Sequence, residues 1–130
     1  MEVTTANCTR RMLLIDDDYT DQRLVEILLN RNGISVDECL SPTAAMPMIN
    51  RNGYDAILVD YQLPILSGPQ LIKKLEGKLH CPIFIISAQD PKLILKEVEK
   101  IGTKINGVIS KCNLFQDLKN LTNKIYGPEL

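Results

Sequence analysis

Several signatures are missing from the 130-residue chain, and each absence removes a class of function. There is no Cys-x-x-Cys pair. The four cysteines, Cys8, Cys39, Cys81 and Cys112, lie far apart, which argues against a zinc knuckle or a disulfide framework. No apolar run is long enough to cross a bilayer. The first ten residues lack the basic-then-apolar order of a signal peptide, so the expected setting is the cytoplasm, with reduced thiols. Charge of one sign is not in excess. Lysine plus arginine number 15 and aspartate plus glutamate 16, a net charge of -1 that offers no general attraction to nucleic acid or an anionic membrane. The single histidine, His80, sits among polar neighbours before an apolar run and reads as a surface residue, not a base. Repeats, low-complexity tracts and interdomain linkers are also lacking. The length suits one domain with one core.

What is present is punctuated aliphatic sequence. Residues 1–9 read as a polar lead-in. Arg11 to Ile15 is a short strand stopped by Asp16-Asp17-Asp18. Thr20 or Asp21 is expected to cap the next helix, with Leu24, Ile27, Leu28 and Val25 at helical spacing and Asn32-Gly33 at its end. Ile34 to Cys39 alternates and reads as a strand at or near an edge. Ser41-Pro42 opens a second helix, in which Pro47 predicts a kink or a shortening, with Met46 and Met48 as packing residues.

Asp55 to Val59 is a third strand ending on Asp60. Pro69 opens a short helix. Cys81 to Ile86 is a fourth strand ending at Ser87, and Asp90-Pro91 caps and starts a fourth helix that runs to about Gly102. Lys104 to Ile109 is a fifth strand followed by Ser110 and Lys111. Asn113 is expected to cap a last amphipathic helix carrying Leu114, Leu118, Leu121 and Ile125. Five strands alternating with five helices predict an α/β fold, a parallel sheet covered on both faces.

In such sheets ligands bind at the carboxyl ends of the strands. Four of those ends carry polar groups: Asp16 to Asp18, Asp60, Ser87 and Lys111. Carboxylates gathered in one small site repel each other, and a divalent cation offsets that repulsion. Oxygen ligands with retained waters suit Mg²⁺. A carboxylate so placed is a candidate nucleophile towards phosphorus, forming an aspartyl phosphate. Ser87 can hydrogen-bond a phosphoryl oxygen and Lys111 can neutralise another. Taken singly, each group has a plainer reading: a solvated acidic turn, a turn aspartate, a capping hydroxyl, a solvated lysine. Their shared position at one edge is what sets them apart.

In their order along the chain, these parts resemble a response-regulator receiver domain of two-component signalling. The acidic pair Asp16-Asp17, Asp60 in Asp-x-x-x-Pro-x-x-x-Gly closing on Gly68, Ser87-Ala88 and Lys111 carry the resemblance, which spans Arg10 to Tyr126. It implies a doubly wound, flavodoxin-like (βα)5 fold with strand order 2-1-3-4-5, a receiver domain over residues 10–127 and no output domain. It implies phosphoryl transfer to Asp60 from a histidine kinase or a histidine phosphotransfer protein. Asp17, Asp60 and the Gln62 carbonyl would hold Mg²⁺, with Asp16 acting through water. Ser87 and Lys111 would attend the phosphoryl group, Ala88 would leave it room, and Tyr61 and Gln62 would border it. The protein would catalyse its own phosphorylation and dephosphorylation and would not be a conventional turnover enzyme. Its output would be an altered contact with a downstream protein.

Two departures from the family pattern stand out. Cys112 replaces the usual proline after the lysine, which predicts a trans Lys111–Cys112 bond, because a cis bond before a non-proline residue costs about 3–4 kcal/mol. Val108 stands where the family often has an aromatic that rotates inward. Both leave open a receiver-like binding module whose contacts do not depend on phosphate. A second alternative is a haloacid-dehalogenase-like phosphatase, because Asp16-Asp17-Asp18-Tyr19-Thr20 also fits Asp-x-Asp-x-Thr with Asp16 as nucleophile. That reading lacks an acidic pair after Lys111 and leaves Asp60 unexplained.

Overall fold

The computed structural model describes residues 10–51 and 53–128; the lead-in expected over residues 1–9 lies outside them. The elements follow in strict alternation: β1 (Arg11–Ile15), α1 (Tyr19–Asn30), β2 (Ser35–Cys39), α2 (Pro42–Arg51), β3 (Ala56–Asp60), α3 (Gly68–Lys74), β4 (Ile83–Ser87), α4 (Pro91–Ile101), β5 (Gly107–Ser110) and α5 (Leu114–Tyr126). A single 3₁₀ turn, Lys111–Asn113, joins β5 to α5. The strands form one five-stranded sheet in the order β2-β1-β3-β4-β5, every pair parallel. The expected order 2-1-3-4-5 is therefore borne out, with β2 at an edge.

Parallel strands buried on both sides need apolar residues at every position, and alternate residues must serve opposite faces. Leu13, Ile15, Ile57, Val59, Ile83 and Ile85 pack on one face with Ala45, Leu71, Ile72, Ile94 and Val98 from α2, α3 and α4. Met12, Leu14, Ala56, Leu58, Phe84 and Ile86 pack on the other with Val25, Leu29, Leu118 and Leu121 from α1 and α5. This period of two runs through β1, β3 and β4 and ends at polar residues on a single edge. None of the helices in the described residues is long and apolar enough to cross a membrane.

Helix α1 differs from the sequence expectation in two respects. Its N-cap is Asp18, whose Oδ1 accepts from the backbone N–H groups of Thr20 (2.9 Å) and Asp21 (3.2 Å); neither Thr20 nor Asp21 is the cap. The chain turns as soon as β1 ends, so the third acid of the run already occupies the cap. Its buried face is Gln22, Val25 and Leu29, whereas Leu24 and Ile27 are exposed. The polar Gln22 is accommodated because its Nε2 donates to the Asp16 carbonyl (3.2 Å).

Pro47 lies inside α2, which runs through it from Pro42 to Arg51, so the predicted shortening does not occur. Ser41 Oγ accepts from the Ala44 N–H at the start of that helix. Met46 and Met48 pack against the core, as their spacing implied. Asp90 caps α4 as expected, and Gly102 closes that helix with φ of 81°, a conformation open to glycine at little cost. Asn113 precedes α5 without a side-chain cap bond; its Nδ2 donates to Asp117 Oδ1.

Asp18→Ala should lower stability by about 1 kcal/mol in urea unfolding, Asp18→Asn should retain most of the cap, and Thr20→Ala should stay within about 0.5 kcal/mol of the parent.

Candidate functional site

The carboxyl ends of β1 and β3 bring Asp16, Asp17 and Asp60 together. One carboxylate oxygen from each lies within 4.8 Å of the other two. Asp16 and Asp60 are buried and Asp17 is exposed. Asp16 continues the sheet, its N–H donating to the Cys39 carbonyl at 3.0 Å, and its Oδ1 accepts from the Asp18 N–H at 2.8 Å. Its Oδ2 is buried and meets no hydrogen-bond donor among the described residues.

Burial dominates the electrostatics. The Asp16 pKa is pushed from an ordinary 3.8 to about 7, chiefly by burial, against the Asp18 hydrogen bond and with the repulsion of Asp60 added. Asp60 is also raised by burial, although the Lys111 ammonium works to lower it. Lys111 Nζ lies 3.1 Å from Asp60 Oδ1 and 2.7 Å from Asp21 Oδ2. Burial alone would lower the lysine, but the two carboxylates outweigh it and hold it charged well above its ordinary range.

The loop after Asp60 is shaped by one close approach. The Gly68 N–H donates to the Tyr61 carbonyl at 2.7 Å, and a Cβ on Gly68 would sit 2.5 Å from the Asp60 carbonyl oxygen. Backbone cannot yield as a flexible side chain does, so glycine is required by space, not by a positive φ. Ser67 caps α3 reciprocally with Gln70: the Gln70 N–H donates to Ser67 Oγ, and the Ser67 N–H donates to Gln70 Oε1.

The Lys111 loop is held without a proline. No cis peptide bond occurs among the described residues, so Lys111–Cys112 is trans. Asp117 Oδ2 accepts from the Ser110 N–H at 2.8 Å, and Ser110 Oγ accepts from the Cys112 N–H at 3.2 Å. Cys112 Sγ lies 3.9 Å from the Ala88 carbonyl across the edge.

Asp17, Asp18, Tyr19, Asp60, Gln62, Leu63, Pro64 and Lys111 line an open depression of about 530 Å³ over these groups. Ser87 is buried at the end of β4, its Oγ accepting from the Gln89 N–H at 2.9 Å, and Ala88 beside it is exposed. The Tyr61 side chain packs against the core cluster. His80 is exposed, as read from its neighbours. Asp21 is the residue that sequence reasoning missed as part of the site. Its sequence signal is that of a helix cap, yet its place in the first turn after the acidic run puts it on the same edge.

These features define a doubly wound α/β protein with an acidic pocket and a paired lysine at the carboxyl edge of its sheet. The family model for the response regulator receiver domain matches residues 12–123, and the chain belongs to that family. It is thus a receiver domain of two-component signalling. Over 124 residues it is 28% identical to the chemotaxis protein CheY-3 of Vibrio cholerae serotype O1, covering 92% of this chain and 94% of that one. Over 120 residues it is 27% identical to the chemotaxis protein CheY of Pseudomonas aeruginosa, covering 89% and 95%. Among solved structures, the receiver domain of the Francisella response regulator 1452 superposes with a TM-score of 0.76 at 28% identity, covering 91% of this chain and 97% of that one. Family membership displaces the haloacid-dehalogenase-like alternative. Asp16, its required nucleophile, is also absent from the lining of the open depression.

The residues fit a hard divalent cation. The donor set is all oxygen, three carboxylates converge, and one buried oxygen has no donor to satisfy it. The Asp16 carboxyl keeps its proton to a higher pH when folded than when unfolded. Its stabilising contribution is therefore complete below about pH 4 and is lost as pH rises towards 7. In metal-free buffer at pH 8, Asp16→Asn should be more stable than the parent by about 2–4 kcal/mol, and the gain should vanish near pH 4. Saturating Mg²⁺ should narrow the gap at pH 8, because only the parent keeps the full ligand set. Urea unfolding with and without Mg²⁺ at the two pH values measures all three effects.

Proposed function

We propose that this receiver accepts a phosphoryl group on Asp60 from the phosphohistidine of a histidine kinase or a phosphotransfer protein, and that it signals through a changed contact with a downstream protein. The observation that carries this reading is the double environment of Asp60: its carboxylate belongs to the acidic cluster and at the same time meets the Lys111 ammonium at 3.1 Å, in an open depression. Asp16 does not line that depression, and Asp17 has no lysine partner among the described residues.

Asp17, Asp60 and the Gln62 carbonyl would hold Mg²⁺, with Asp16 acting through water, and the ion would supply charge neutralisation that lets an anionic phosphoryl group approach a carboxylate. An Asp60 oxygen attacks phosphorus. The new O–P bond forms as the bond to the donor nitrogen breaks, and the donor imidazole retains the electron pair. Lys111 remains protonated and offers an N–H to a phosphoryl oxygen. The Ser87 hydroxyl, now accepting from Gln89, retains its own proton to donate to another. Ala88 presents only a methyl group beside it, and Tyr61 and Gln62 directly follow Asp60 in sequence, with Gln62 lining the depression. The cytoplasmic setting belongs to the same reading.

Acetyl phosphate with Mg²⁺ tests the chemistry, since attack by Asp60 releases acetate and leaves one phosphoryl group on the protein. Intact-protein mass spectrometry should show a single phosphoryl adduct that is absent without Mg²⁺ and absent in Asp60→Asn. No adduct on a folded, Mg²⁺-loaded protein, or an adduct that survives in Asp60→Asn, would sink the proposal. A partner contact that is the same in the parent and in Asp60→Asn under a phosphodonor would point instead to a phosphate-independent binding module.

A further inference from the structure

The shortest ion pair of the site is not the one to Asp60. Lys111 Nζ lies 2.7 Å from Asp21 Oδ2, against 3.1 Å to Asp60 Oδ1. Asp21 comes from a different element, the first turn of α1, 90 residues away in sequence. Its backbone is fixed there, because its N–H donates to the Asp18 cap at 3.2 Å. A lysine ammonium has three donors. One is directed at Asp21 and one at Asp60, which leaves one for an incoming oxygen.

The two carboxylates differ in what phosphoryl transfer does to them. Asp60 is spent as a partner when its oxygen bonds to phosphorus. Asp21 is unchanged by the reaction. This part-buried lysine on a four-carbon stem has no other carboxylate within ion-pair distance among the described residues.

We propose that Asp21 is a positioning residue, which holds the Lys111 ammonium at the rim of the depression before, during and after Asp60 is modified. The proposal rests on Asp60 being the phosphoacceptor. Without Asp21, Lys111 either leans wholly on Asp60, masking the attacking carboxylate, or swings into solvent. Both outcomes slow transfer. A purely structural ion pair would alter stability and leave transfer untouched.

The test has two arms, both run on the parent, Asp21→Asn and Asp21→Glu; the first arm adds Lys111→Met alone and Lys111→Met combined with Asp21→Asn. In the first arm, Mg²⁺-dependent labelling by acetyl phosphate should slow about fivefold in Asp21→Asn, which is about 1 kcal/mol at 1.4 kcal/mol per decade. Asp21→Glu should recover most of the rate, and Asp21→Asn should add nothing in the Lys111→Met background. In the second arm, on metal-free protein, acetylation of the Lys111 amine by acetic anhydride, read by peptide mass spectrometry, should rise about fivefold in Asp21→Asn and return towards the parent in Asp21→Glu. A parent that is labelled normally beside an equally fast Asp21→Asn would overturn the Asp21 proposal and leave the phosphoacceptor reading intact. So would a loss that persists in full when Lys111 is already methionine. A folded parent that takes no label would overturn the phosphoacceptor reading and the proposal together.

Discussion

The structure turns on the enclosure of like charges at one edge of an apolar sheet. Asp16 and Asp60 are nearly inaccessible to water, yet each sits within reach of another carboxylate. In a medium of low polarity such groups either keep a proton, find a cation or force the fold apart. Here Asp16 holds its proton up to about pH 7, and Asp60 finds the Lys111 ammonium. The buried carboxylates are therefore held in place by the hydrophobic layers beneath them, and a cation bound among them would offset their repulsion.

The rest of the architecture supplies that rigidity. β1, β3 and β4 are buried on both faces, and their side chains alternate between two separate cores. A strand fixed in that way cannot slip by one residue without reversing every side chain. The residue that follows each strand is consequently delivered to the edge with little freedom. The Asp60 loop is fastened again from the far side by Gly68, which packs against the Asp60 backbone. The Lys111 loop is fastened by Asp117 and Ser110 in place of a proline. Over about nine-tenths of its length the chain is 27–28% identical to two chemotaxis receivers.

Much of this was legible in the sequence because it is written in local terms. Aliphatic runs bounded by Asp, Ser and Lys mark strands and their ends, and the alternation with helical spacing implies a parallel sheet. The proline-glycine pattern after Asp60 marks a constrained loop. Helix α1 was less legible. Leu24, Val25, Ile27, Leu28 and Leu29 are all apolar, so the pattern covers more than one stripe of the helix. Only docking against the sheet selects Val25 and Leu29, together with a glutamine that no hydropathy pattern would have put inside.

The sequence by itself determined the order of elements, the two-faced burial of the strands and the set of acids, hydroxyl and lysine at their ends, since each depends on residues close together in the chain. Tertiary structure alone decided which face of α1 is buried, that Asp18 and not Thr20 or Asp21 caps it, and that Asp21 meets a lysine 90 positions away. It also decided the protonation of Asp16, because desolvation is a property of what packs around a group and not of the group's neighbours in sequence.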